Sequence, residues 1–211
     1  MTHPAATPDA IVQVDGLCFR YPNRDVFAGW SARIPPGVSL IRGDDGSGKT
    51  TLLRLLAGEL PAQAGTLQFK GIAMDQQPMA YRQQVFWADP RSDAFDQVSA
   101  VDYFKSLPHQ HPQFNEPLLD ELVAGLSLTP HMDKPLYMLS TGSKRKVWLA
   151  AAFASGAVLT LLDEPFAALD KASIGFVMEL LEDAADHPAR AWVMADYAVP
   201  GDVPLASIID L

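Results

Sequence analysis

Between residues 10 and 42 the apolar positions come in short runs rich in β-branched and aromatic side chains: IVQVDGLCFRY, FAGWSARI and VSLIRG. Pro22-Asn23 and Pro35-Pro36-Gly37 separate the runs, so the pattern predicts strands joined by turns. The spacing then changes. Leu52, Leu53, Leu55 and Leu56 supply one apolar face of a helix predicted over residues 49–57, and Gly58 is its natural stop. Residues 65–71 read as a short strand and residues 85–88 as a buried one.

The stretch from residue 89 to about 140 has another character. It is dense in Pro, Asp and His, with two predicted helices over 99–107 and 117–128, and reads as a small helical lobe inserted into an α/β body. Alternation then resumes with a helix after Ser143, a strand over 157–162, a helix over 171–185, a strand over 191–195 and a final strand, ASIIDL. The strands over 85–88 and 157–162 are apolar without alternation, as a parallel sheet covered on both faces requires. Residues 1–9, rich in Ala, Pro and Thr, read as a frayed tail. The organisation expected is a single domain over residues 10–211.

Composition narrows the classes. The chain has 211 residues, 48% hydrophobic, enough for one full core, which excludes global disorder. Its formal net charge of −9 argues against a protein built to grip a nucleic-acid backbone. The single cysteine, Cys18, cannot form an internal disulfide and is expected as a small buried hydrophobe. No Lys or Arg precedes Arg20 and no apolar run follows Met1, so no secretory signal is expected. The longest charge-free stretch, residues 147–162, is shorter than the roughly 20 apolar residues of a membrane span. His109 and His111 lie in a Pro-flanked loop without cysteine partners, and His131 and His187 read as loop residues.

The sharpest signal is GDDGSGKT, residues 43–50, which fits G-x-x-x-x-G-K-[ST] between a predicted strand and a predicted helix. Its glycines let the backbone wrap a triphosphate, and N–H groups at the helix start point at the anion. Lys49 would reach the β- and γ-phosphates and the Thr50 hydroxyl would sit on Mg²⁺. Asp44 and Asp45 are unfavourable beside a triphosphate unless they face solvent or join the metal shell. Farther on, VLTLLDEP is an apolar strand that ends in paired carboxylates. Asp163 is placed to hold Mg²⁺ through water, and Glu164 to orient or deprotonate the attacking water.

With these motifs the chain resembles the ATP-binding cassette (ABC) family, the ATPase subunits of ABC transporters, from about residue 11 to residue 211. GDDGSGKT matches the Walker A motif, LTLLDEP the Walker B motif, and AALD the D-loop. FRYP is similar to the adenine-stacking segment, with Tyr21 as its ring, and LSTGS takes the place of the LSGGQ signature. The resemblance implies a P-loop α/β core with a small antiparallel β subdomain and an inserted α-helical subdomain. It implies ATP and Mg²⁺ held by Tyr21, Gly43, Asp45, Gly46, Ser47, Gly48, Lys49, Thr50 and Thr51. Ser140 and Gly142 would face the γ-phosphate of the opposite subunit in a head-to-tail dimer, with Ser140 also capping the helix that follows. Lys144, Arg145 and Lys146 would either add positive potential there or form a solvated helix face.

Four departures from the family pattern shape the functional expectation. Thr141 and Ser143 replace the signature's glycine and glutamine, restricting the backbone where close approach to phosphate is wanted. Asp89 or Pro90 stands where a glutamine helps to hold Mg²⁺, which makes Asp89 a candidate metal ligand. Asp196 stands at or beside the place of a catalytic histidine, and an ionised carboxylate cannot donate to a γ-phosphate. A short turn, VPGDVP, replaces the helix that usually follows, and no regulatory C-terminal domain is expected. Asp89, Asp163, Glu164 and Asp196 are therefore expected to cluster around one γ-phosphate and to slow hydrolysis.

The reading that results is a cytoplasmic ATPase subunit, attached to the inner or plasma membrane through a separate membrane-spanning permease. It would work as a homodimer, or as a heterodimer with another ABC ATPase. Lys49, Glu164 and Asp196 would be its catalytic residues, and nucleic acid would not be a partner. The alternative is a hydrolysis-impaired ATP-binding module that regulates or completes a heterodimer without driving transport. A non-transport cassette enzyme is a third possibility, with its nucleic-acid variants disfavoured by the charge.

Overall fold

The computed structural model describes residues 10–198 and 201–211. The tail expected over 1–9 lies outside the described residues, as do Val199 and Pro200 of the VPGDVP turn. Two sheets carry the fold. The strands β1 (Val12–Tyr21) and β2 (Arg24–Ile34) form a hairpin closed by a Tyr21–Arg24 pair across Pro22-Asn23. After β3 (Gly37–Arg42) and helix α1 (Lys49–Leu56), β4 (Ala64–Phe69) and β5 (Ile72–Ala73) complete an antiparallel sheet of order β2-β1-β4-β5. Cys18 is only half-buried, contrary to expectation. It sits among register shifts of β1, where its sulfur accepts the Gly29 N–H at 3.1 Å.

A short helix, α2 (Pro78–Arg82), precedes β6 (Val85–Trp87). The helical lobe carries α3 (Ala100–Ser106) and α4 (Glu116–Gly125). Ser99 and Asn115 cap them, each side chain accepting a backbone N–H three residues on. Helix α4 stops at Gly125, short of the predicted 128. Ser127 turns left-handed (φ 57°), and the N–H groups of Ser127 and Leu128 close on the carbonyls of Ala124 and Val123. Helix α5 (Thr141–Ala154) begins earlier than predicted because Ser140 caps it, accepting the Ser143 N–H at 3.1 Å. Then come β7 (Leu159–Asp163), α6 (Lys171–Ala185), β8 (Ala191–Asp196) and β9 (Ser207–Asp210).

The parallel sheet has the order β6-β7-β8-β3-β9, and its side chains alternate between two apolar layers. Leu159, Leu161, Val193 and Ile41 pack with α1 and the antiparallel sheet, while Leu162, Met194, Trp192 and Leu40 pack with the residues of α3 to α6. The register pairs Arg42 with Asp196 and Asp163 with Ala195, so the C-terminal ends of β3, β7 and β8 finish together. Ligands of open α/β sheets bind at that edge. No helix among the described residues is long and apolar enough to cross a membrane.

Candidate nucleotide site

Residues 43–48 connect β3 to α1 and open onto this edge. Gly48 enters the helix at φ 116°, and a Cβ there would stand 2.8 Å from Val26 Cγ1, so both conformation and space exclude a side chain. Lys49 is buried, and its ammonium donates to the carbonyls of Gly43 at 2.6 Å and Asp44 at 3.0 Å. Asp44 and Asp45 are both exposed.

Thr50 Oγ1 donates to Asp163 Oδ2 at 2.8 Å. Asp163 is 6% exposed, and its other oxygen, Oδ1, has no partner among the described residues. Burial pushes the Asp163 carboxyl above its ordinary value; the Thr50 hydrogen bond and the charge of Arg91 pull it back. A hydroxyl and a half-satisfied carboxylate at this spacing suit a hard divalent cation such as Mg²⁺.

Beside the pair lies a hollow of about 430 Å³, lined by residues of the 43–51 segment together with Arg24, Arg91 and Glu164. Three of its walls are cationic (Arg24, Lys49, Arg91) against two carboxylates (Asp45, Glu164). At one end Tyr21 Oη shares a hydrogen bond with Thr51 Oγ1 at 3.3 Å, and Arg24 donates to the Gly46 carbonyl. Glu164, at the other end, directly follows β7 in a left-handed conformation (φ 47°), its N–H bonded to the Ala195 carbonyl at 2.8 Å.

The four carboxylates expected around one γ-phosphate are neighbours, with Asp89 and Glu164 both raising the Asp163 carboxyl, but they do not all face the hollow. Glu164 alone of them lines the hollow, and Asp163 lies under Thr50. Asp89 Oδ1 accepts the Arg91 N–H at 2.9 Å, and Asp89 lines a neighbouring hollow with Glu59 and Trp87. Asp196 Oδ1 accepts the Tyr197 N–H at 2.7 Å. Tyr197, which sequence reasoning passed over, places its ring 6.0 Å from Lys49 Nζ.

The basic run is neither a free source of potential nor a solvated face. Lys144 pairs with Asp96, and Lys146 with Asp170 at 2.6 Å. Arg145 Nη1 donates to the main-chain carbonyls of Asp163, at 2.9 Å, and Glu164. Ser140 is exposed and outside the hollow. Gly142 packs so closely on the D-loop that a Cβ would come within 2.4 Å of the Ala168 carbonyl. His111 lies in a loop as expected, but it is buried with its ring 5.3 Å from Phe86, and burial lowers its pKa. No sequence motif marks Arg24 or Arg91 as a site residue, and Arg145 stands out in sequence only within the basic run after the signature.

Comparison with known proteins identifies the family and the fold. The family model described as ABC transporter matches residues 29–167. A protein of Rhodospirillum rubrum named cytochrome c biogenesis ATP-binding export protein CcmA is 37% identical over 198 residues, covering 91% of this chain and 83% of that protein. The protein of that name from Escherichia coli K12 is 31% identical, over 84% of this chain and 83% of its own length. A solved structure, a putative ABC transporter ATP-binding protein from Pyrococcus furiosus, superposes with a TM-score of 0.76 at 20% identity, covering 95% of this chain and 96% of that one. Another, an ATP-binding subunit of an ABC transporter, gives 0.79 over 89% and 79% at 19% identity. With its family model matched across the Walker motifs and its fold shared with solved cassettes, the chain belongs to the ABC transporter family, as an ATP-binding subunit of the ABC ATPase type.

Proposed function

We propose that this chain binds Mg-ATP at the interface of a dimer, drives a separate membrane-spanning permease from the cytoplasmic face, and hydrolyses ATP slowly. The observation that carries the reading is the Thr50–Asp163 pair, 2.8 Å apart, beside a net-positive hollow that holds Lys49 and Glu164. Lys49 leaves its loop carbonyls for the β- and γ-phosphates, while the N–H groups after Gly46 face the same oxygens. Thr50 and Asp163 would hold Mg²⁺, which would supply positive charge against the phosphates when bound. Glu164, beside the γ-phosphate end, orients the attacking water and accepts its proton. Tyr21 offers its ring to the adenine. Asp196, where the family pattern has a histidine, turns its carboxylate onto the Tyr197 N–H, which supports slow turnover.

The relatives named as cytochrome c biogenesis export proteins support export as the direction of transport. The alternative, a hydrolysis-impaired module that regulates or completes a heterodimer, is favoured by the same Asp196 geometry. Purified protein is expected to melt higher in Mg-ATP than without nucleotide, because ligand binds only the folded chain. Glu164→Gln is expected to keep that shift and abolish the residual phosphate release. Absence of the shift would sink the nucleotide reading, and turnover of several per second would sink slow hydrolysis. A polytopic membrane protein co-purifying with the tagged chain is expected for the transport reading, and a reproducibly soluble partner favours the regulatory one.

A further inference from the structure

The loop after β6 carries a guanidinium, Arg91, one or two residues beyond the place where the family pattern has an amide. Asp89 begins a tight turn: its carbonyl accepts the Ser92 N–H at 3.0 Å, its Oδ1 accepts the Arg91 N–H at 2.9 Å, and Pro90 fixes the residue between. The Asp89 carbonyl and one of its two carboxylate oxygens thereby hold the turn that carries Arg91. The Arg91 side chain is solvent-exposed, lines the phosphate hollow, and makes no ion pair among the described residues. Arg24 differs, because it is already bonded to the Gly46 carbonyl.

The end of the hollow that Arg91 faces follows from its neighbours. Strand β6 pairs with β7 up to Trp87 and Leu161, so its exit loop runs beside Asp163. Tyr21 and Arg24 mark the far end, on Thr51 and Gly46. A triphosphate whose β- and γ-groups lie on Lys49 and Thr50 therefore brings its terminal group toward Arg91.

We infer that Arg91 is the γ-phosphate ligand supplied from within this chain, and that Asp89 is a positioning residue that holds the Arg91 turn rather than a metal ligand. The inference rests on the proposed nucleotide site and deepens it. A guanidinium donates to two phosphate oxygens at once and keeps its charge at every working pH. It therefore supplies the donor that Asp196 lacks and makes the site discriminate ATP from ADP.

The test is calorimetric titration of the wild-type chain, Arg91→Ala, Arg91→Lys and Asp89→Asn with Mg-ATP and Mg-ADP, alongside phosphate release and with Lys49→Ala as the binding-defective control. Arg91 is exposed and unpaired, so its variants are expected to melt like the wild type. Losing a hydrogen-bonded charge should make Arg91→Ala bind Mg-ATP about 10–100-fold more weakly while Mg-ADP changes by less than about twofold. Arg91→Lys should fall between the two. Asp89→Asn keeps an acceptor at Oδ1 and should stay within about twofold of wild type for Mg-ATP. An unchanged Mg-ATP affinity in Arg91→Ala, or an equal loss for both nucleotides, overturns the assignment of Arg91. A large Mg-ATP loss in Asp89→Asn overturns the positioning role. Wild-type protein that binds no better than Lys49→Ala overturns the nucleotide-site reading itself, which is a distinguishable result.

Discussion

Asp163 illustrates how one carboxylate can oppose stability and serve function together. Its Oδ2 accepts from Thr50, but Oδ1 is buried without a partner, and burial raises its pKa. The folded chain therefore holds this proton at a higher pH than the unfolded chain does. The penalty of the buried charge is fully present above the raised value and fades as pH falls through it. Asp163→Asn removes the charge and leaves a group that can still bond Thr50. The amide NH2 takes the same unpartnered place, so the gain is that of the removed charge alone, about 1 kcal/mol, or about 2–4 °C of melting temperature at this chain length. The variant should therefore melt higher than wild type in the absence of nucleotide and should lose the magnesium-dependent part of the ATP shift. Melting both proteins across pH supplies the check, since the gap between them should narrow as acid protonates Asp163 in the wild type. A constant gap would mean that the buried charge is not its cause.

At the scale of elements, the first turns of α5 set the site. Three consecutive side chains reach three different places: Lys144 the lobe at Asp96, Arg145 the end of β7, and Lys146 Asp170, which in turn caps α6 through Ser173. Lys146 and then the Ser173 bonds hold the Asp170 carboxyl below the usual range. Arg145→Met removes the donor from the Asp163 and Glu164 carbonyls, with an expected cost of about 1–3 kcal/mol. Phosphate release should fall more than ATP affinity, because the strained Glu164 backbone loses its hold while Lys49 and Thr50 keep theirs. Paired kcat and binding measurements test this, and parallel losses in the two would contradict it.

The glycine-rich loop, the strand ending in Asp163 and the leucine face of α1 were legible in the sequence because their signals are local. Spacing could not tell which residue of Lys144, Arg145 and Lys146 meets which partner. The rotation of α5 against β7 and α6 decides that, and it is a tertiary property. Short β5 and α2 carry too few residues for a period to register. Asp89 is the instructive miss, since Asp-Pro-Arg-Ser is a turn signature readable without any family pattern.

For the whole molecule, the net charge of −9 is spread unevenly, leaving the hollow with three cations against two carboxylates. The lining of this hollow is thus a small net-positive patch on an acidic protein, suited to a triphosphate. The signature residues lie elsewhere, with Ser140 and Thr141 exposed at the start of α5 and outside this hollow. Among the described residues Ser140 only caps α5 and the Thr141 side chain makes no hydrogen bond, which is the arrangement expected if a second chain completes each site. Mg-ATP should therefore drive the Glu164→Gln protein from monomer to dimer, because bound ATP is then not consumed. Thr141→Glu in that background should block the dimer by setting a carboxylate against the triphosphate of the opposite chain. It leaves the Ser140 cap untouched, and a glutamate in the first helical turn is favourable to the helix itself. Light scattering with and without Mg-ATP, beside calorimetry on the same samples, separates the cases. Retained ATP binding with lost dimerisation is the expected result for Thr141→Glu, and a dimer that forms regardless would place the signature residues outside the interface.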